Sequence, residues 1–233
     1  MRLAPLLLLG GIAAAAAGEE VRVGRAALQL PGPEWKALTE YRTARKYNEY
    51  SGQQPASHDV AVENKVFVLA RADGSAKALL VVSSSVSANR KSVNYQGDAC
   101  PAARPKFFSD NFGSGAASDR IECLVVNAAY PSATLSRLNV EIGKAIAAHG
   151  IRFDKSGYYV RSVYGAANGT FLQVNLFTST AFKGLAGAPA GGRDTHEVPE
   201  ELVNWGNALH KAVRGSVLSF SGKVELPPLE VGD

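Results

Sequence analysis

Two pairs of apolar, β-branched runs, each pair meeting at a glycine turn, decide most of what this chain can fold into. Residues 65–72 and 77–88 meet at Asp73-Gly74-Ser75, and residues 158–164 and 170–178 meet at Asn168-Gly169. A tight glycine turn between alternating runs closes them as antiparallel hairpins, so the chain is committed to an antiparallel sheet. In the first hairpin Val66, Val68 and Ala70 share a face. In the second, Leu172, Val174 and Leu176 alternate with Gln173 and Asn175, which predicts one core face and one wet face. Further strands are predicted at 21–30, stopped by Pro31-Gly32-Pro33, and at 121–127. A last strand, with Leu218, Phe220, Val224 and Leu226 on one face, runs up to Pro227-Pro228. Residues 34–50 fit two patterns, because Trp35, Leu38 and Tyr41 keep a helical interval while the aromatic content suits a strand.

Two segments read as amphipathic helices. One follows Pro131-Ser132-Ala133-Thr134, with Leu135, Leu138, Ile142, Ala145 and Ile146 on one stripe and Gly150 as its stop. The other starts at Pro199, has Glu197, Glu200 and Glu201 at its beginning and His210, Lys211 and Arg214 near its end, and is expected to close at Gly215. Its apolar stripe is Val198, Leu202, Trp205, Leu209, Ala212 and Val213, which makes Trp205 a core residue. The fold class that follows is α+β, a largely antiparallel sheet with two main helices packed on it. This element order resembles that of small secreted α+β sandwiches such as the PsbP and Mog1-like modules. The resemblance is one of architecture with no shared functional residue, and fold alone does not give function.

Residues 1–18 place the chain in a compartment. Arg2, the apolar run 3–17 and the small residues before Gly18 and Glu19 form the pattern of a signal peptide, too short to span a bilayer comfortably. The expected mature protein is therefore a single α+β domain, 19–233, in the bacterial periplasm or secreted. No cysteine stands near the cleavage point to accept a lipid, and no later run approaches the ~18 apolar residues of a spanning helix. Cys100 and Cys123 are the only cysteines, and an even pair in an oxidising compartment predicts a disulfide. That bridge would pin the polar segment 89–119 to the strand 121–127. Residues 183–194, rich in glycine, alanine and proline, read as a mobile loop.

The formal charge of +4 is small and its cations are dispersed, which argues against nucleic acid as a partner. Motifs that carry chemistry fail one by one. Gly113-Ser114-Gly115 lacks the strand and helix of a nucleophile elbow, and as the start of a nucleotide fingerprint it ends in Ser118. His58-Asp59 has no serine fixed beside it. His196-Glu197 is followed by Pro199 and Glu200 where a zinc helix needs its second histidine. The run Asp110-Asn111-Phe112-Gly113 lacks the oxygen ligands of a calcium loop. His149 and His210 read as residues of final helical turns, serving exposed carbonyls. No cofactor or metal is expected.

Two patches combine aromatic and cationic or flexible residues. Trp35, Tyr41, Tyr47 and Tyr50 interleave with Lys36, Arg42, Arg45 and Lys46, and Phe107, Phe108 and Phe112 lie in the disulfide loop. The expectation is a non-catalytic secreted or periplasmic binding protein whose partner is a protein or an envelope component. Arg45, Tyr50, Phe108 and Phe112 are the candidate partner-binding residues. The alternative is an extracytoplasmic hydrolase with a site built from dispersed residues. An enzyme should present a concave pocket in which polar or ionisable groups converge, and a binding module a shallower patch.

Overall fold

Each glycine turn of the sequence closes a hairpin in a computed structural model of the chain. That structure describes residues 20–229 apart from 33, 52–53, 89–92, 94, 96–99, 104–106, 113–118, 130–134, 136–138, 155 and 180–197, with only the backbone at 47–51, 54–58, 107 and 129. Strands β1 (Glu20–Val23) and β2 (Ala26–Gln29) are followed by β3 (Lys36–Ser51), β4 (Gln54–Ala70), β5 (Ala76–Ser85), β6 (Phe107–Asp110) and β7 (Arg120–Ala129). Helix α1 (Val140–Ala148), strands β8 (Gly157–Ala166) and β9 (Phe171–Ser179), helix α2 (Glu200–Leu218) and strand β10 (Lys223–Glu225) complete the order. The fold is α+β. Strands β3 to β9 form one antiparallel sheet in the order β3-β4-β5-β9-β8-β7-β6, and β1-β2-β10 form a small second sheet.

Gly74 and Gly169 sit at φ +81° and +75°, the left-handed conformations these hairpin turns require. The ambiguous 34–50 segment is strand. β5 pairs with β4 from Val62 onward and Val86 N–H donates to the Ala61 carbonyl at 2.9 Å, while from Gln54 to Ala61 the strand paired with β4 is β3. The segment predicted as one strand at 21–30 is a hairpin instead. Gly24 at φ +54° turns the chain between β1 and β2, and a Cβ there would lie 2.6 Å from the Ser85 carbonyl oxygen.

The large sheet is covered on both faces. On one face Phe67, Leu80, Val82, Leu124, Val126, Val160, Val174 and Leu176 pack with Val23 and Leu28 of the small sheet and with Leu202, Leu209 and Val213 of α2. Each of those three helix side chains is fully buried, a contribution of about 1.5–3 kcal/mol apiece. Gly206 allows the close approach, since a Cβ there would stand 3.2 Å from a Val126 methyl. The opposite face carries two separate apolar clusters. Val66, Val68, Leu79, Val81 and Phe177 pack with Leu135 and Ile142. Val60, Val62, Ile121, Val125, Val163 and Phe171 pack with Val93 and Tyr95. Cys100 and Cys123 lie at disulfide distance, Cα atoms 5.8 Å apart, in this second cluster, so the segment holding Cys100 is fastened to β7 as expected.

Three helix and strand boundaries differ from the sequence reading. α1 begins at Val140 with Asn139 as its cap, the Asn139 Oδ1 accepting the Glu141 N–H at 2.8 Å; most of the stretch 131–138 lies outside the described residues. α2 runs past Gly215 to Leu218, which leaves Leu218 and Phe220 exposed and shortens the last strand to β10. Its continuation is tied down where Ser216 Oγ donates to the Gly222 carbonyl at 2.7 Å. The predicted signal peptide and the predicted mobile loop 183–194 lie outside the described residues.

Candidate functional site

The two apolar clusters on the α1 face are separated by a polar band that crosses the sheet. Register places Tyr41, Asn64, Ser83 and Gln173 in one cross-strand row, and Val81, Asn175 and Arg161 in the next. The side chains are linked. Asn64 Nδ2 donates to Thr43 Oγ1 at 3.0 Å and to the Tyr41 carbonyl at 3.3 Å, while Ser83 Oγ donates to Asn64 Oδ1 at 2.7 Å. Asn175 Oδ1 accepts from Tyr159 Oη at 2.8 Å and from Gln173 Nε2 at 3.1 Å. Asn64 and Asn175 are only 5% and 2% exposed. The predicted wet face of β9 is thus half wrong, because Asn175 is buried and its amide is satisfied by Tyr159, Gln173 and the Val81 carbonyl.

This band floors an open cleft of about 280 Å³. Tyr41, Thr43 and Arg45 line it from β3, Asn139 and Ile142 from the start of α1, and Val62, Val81 and Phe171 from the sheet. The Arg45 guanidinium lies 4.6 Å from the centre of the Phe171 ring, a cation–π contact at the rim. Among its described lining residues the titratable groups are Tyr41 and Arg45. Burial, with a smaller push from the Glu141 charge, raises the Tyr41 phenol to about 12. Burial likewise raises Tyr159, beneath the cleft, to about 12. Both phenols stay protonated at neutral pH, and Tyr159 donates to Asn175.

The ionisable cluster lies on the other face. Glu122 on β7, Ser162 on β8 and His210 on α2 are 1%, 0% and 4% exposed. Ser162 Oγ is 3.0 Å from His210 Nδ1, and His210 Nε2 is 3.3 Å from Glu122 Oε1. A carboxylate only accepts, so the neutral ring carries its proton on Nε2 and receives the serine hydroxyl on Nδ1. Arg214 and Arg120 approach the same carboxylate at 3.5 and 3.9 Å. Burial lowers the His210 pKa, against the hydrogen bond and charge of Glu122. The order of groups matches a serine–histidine–acid relay, but a nucleophile must touch its substrate and Ser162 is sealed beneath α2. The relay ties α2 to β7 and β8.

The residues singled out from sequence fall in different places. Arg45 lines the cleft. Tyr50 lies on β3, among residues whose side chains are not described. Phe108 and Phe112 pack partly against the core on the opposite face, Phe112 stacked on His210 with ring centres 4.2 Å apart. His149 is the C-cap of α1, one place past its final turn, and it is the backbone N–H rather than the imidazole that donates to the Ala145 carbonyl at 3.0 Å. His210, by contrast, sits within α2 rather than in its final turn, because the helix extends beyond Gly215. Trp205 packs against the core and donates from Nε1 to the Pro228 carbonyl at 2.9 Å. Sequence reading missed Asn64, Ser83, Glu122 and Ser162. The signal available was a polar residue at an inward position of an apolar strand, as Glu122 is in Ile121-Glu122-Cys123-Leu124.

Fold and cleft together define an α+β protein with a polar trough, bearing Arg45, on one sheet face and a sealed ionisable relay beneath the other. No protein family, no curated protein and no solved structure matches the chain.

Proposed function

We propose that this is a non-catalytic, extracytoplasmic binding protein and that its ligand, an envelope component, seats in the cleft between α1 and β3. The reading rests on one observation: a hydrogen-bonded band of amides and hydroxyls interrupts an otherwise apolar sheet face at the floor of an open cleft. A band of aliphatic side chains would stabilise that face as well or better, so polar groups there are explained by what they can hold. General acid–base chemistry needs concavity and a group titrating near neutrality in the same place. This cleft carries an arginine and a high-pKa phenol, and His210 and Glu122 lie across the sheet from it.

Location is supported by the pattern of residues 1–18 and by the paired cysteines. Among the described residues no helix is long and apolar enough to cross a membrane. The test is retention of fractionated envelope extract on the immobilised chain and on a Ser83→Tyr variant, whose added ring fills the cleft. A component held by the parent and released by the variant is the expected result. Equal retention on both would refute the cleft. Turnover in a hydrolase screen that disappears in Ser162→Ala with the fold intact would refute the non-catalytic reading.

A further inference from the structure

Resting on the cleft as the binding site, we infer that its ligand is a neutral carbohydrate, bound through uncharged sugar rings. Charge is the first argument. Among the described lining residues the one charged side chain is Arg45, whose guanidinium already lies over Phe171. A polycation would meet Arg45, a polyanion would find that one cation already engaged, and an uncharged ligand asks for no counter-charge from the cleft.

Hydrogen-bonding chemistry is the second. Thr43, Ser83 and Gln173 each present groups that can donate and accept, as sugar hydroxyls do, so every pairing has a complementary orientation. The layer beneath them is fixed by Asn64, Asn175 and Tyr159, which holds the surface groups in place before the ligand arrives. Ile142, Val62 and Val81 are all but buried, so the apolar surface that can meet the C–H face of a sugar ring is the half-buried Tyr41 ring. The volume, about 280 Å³, is at the lower end of small-ligand sites, room for about one or two rings. A peptide is the weaker fit. Extended peptides are recognised by sheet edges through backbone hydrogen bonds, whereas this cleft lies on a sheet face and offers side chains.

Calorimetric titration of the full chain with cellotriose, maltotriose and the N-acetylglucosamine trimer tests this, with trigalacturonate, the deacetylated glucosamine trimer (free amines) and trialanine as charged and peptide comparators. At least one neutral trisaccharide should bind, at least about tenfold more tightly than either charged trimer, a gap of about 1.4 kcal/mol. Ser83→Tyr should abolish that binding, Gln173→Ala should weaken it with the circular dichroism spectrum unchanged, and Glu225→Gln, remote from the cleft, should leave it intact. Preference for a charged trimer or for trialanine, lost in Ser83→Tyr, would overturn the carbohydrate and leave the cleft standing. Neutral sugar bound equally by parent and Ser83→Tyr, or no binding by any probe, would overturn both.

Discussion

The ring of Phe112 lies flat on the imidazole of His210, planes within 1° and centres 4.2 Å apart. Phe112 reaches this position with φ +45°, a left-handed conformation uncommon for a bulky residue, helped by Asp110 Oδ1 accepting its backbone N–H at 2.7 Å. The stack covers the relay that joins α2 to the sheet and keeps water from the ring.

Stability should therefore depend on acid through His210. Burial depresses the folded-state pKa below the ordinary 6.5, so the unfolded chain takes up the proton first as pH falls. The sign is fixed: the contribution is complete above the unfolded value and is lost as pH drops below it. Urea unfolding between about pH 8 and pH 5 should show this loss in the parent and a flatter profile in His210→Leu. Parallel profiles would contradict the assignment. Ser162→Ala should cost about 1–3 kcal/mol, because it leaves Nδ1 without its donor.

The polar band should act as one unit. Asn175→Ala removes the acceptor of both Tyr159 and Gln173 and should destabilise by about 1–3 kcal/mol, whereas Tyr159→Phe removes one donor and should cost about 1 kcal/mol. In the double variant the two losses should fall short of their sum, measured by chemical denaturation as a coupling of at least about 0.5 kcal/mol. Strict additivity would mean that the band is a set of unrelated contacts.

Joining Cys100 to Cys123 closes a loop with a sequence separation of 23. Replacing both by alanine should lower stability by about 3 kcal/mol while leaving the chain folded, since each sheet face has its own core. Thiol labelling of denatured, unreduced protein should find no free cysteine; two labelled thiols would contradict the bridge.

Gly24 is the residue that lets the small sheet turn against the large one. Ala at this position meets both an unfavourable φ and the carbonyl oxygens of Ser84 and Ser85, at 2.8 and 2.6 Å from a Cβ. Gly24→Ala should cost about 2 kcal/mol in denaturant unfolding. A neutral effect would mean the hairpin closes elsewhere.

How much of this was legible depends on whether the signal was local. The hairpins over Gly74 and Gly169 were, because turn chemistry and alternation lie within a few residues of each other. The helical stripe of Leu202, Leu209 and Val213 was as well, and so was the cysteine pair. The turn at Gly24 was not, since a glycine inside an alternating run reads equally as strand, and its reason is a contact with Ser85 far along the chain. The length of α2 was set by Ser216 bonding back to Gly222, beyond any stop signal at Gly215. The band of Asn64, Ser83, Gln173 and Asn175 depends on cross-strand register among β4, β5 and β9, and register over long sequence separations has no local signature. Arg45 stands out for its cationic and aromatic neighbours and lines the cleft; Phe108 and Phe112 stand out as aromatics among glycine, serine and aspartate in the disulfide loop, and they lie across the sheet.

The account turns on which face of the sheet meets the ligand, and side-chain amide NMR reads this directly. With asparagine and glutamine side chains isotopically labelled, the chain is titrated with the envelope fraction it retains, following the NH₂ signals of Asn139 and Gln173 and the ring signals of His210. The account predicts that the two amides shift while the His210 signals stay in place. Shifts centred on His210 and Phe112, with both amides unmoved, would contradict it.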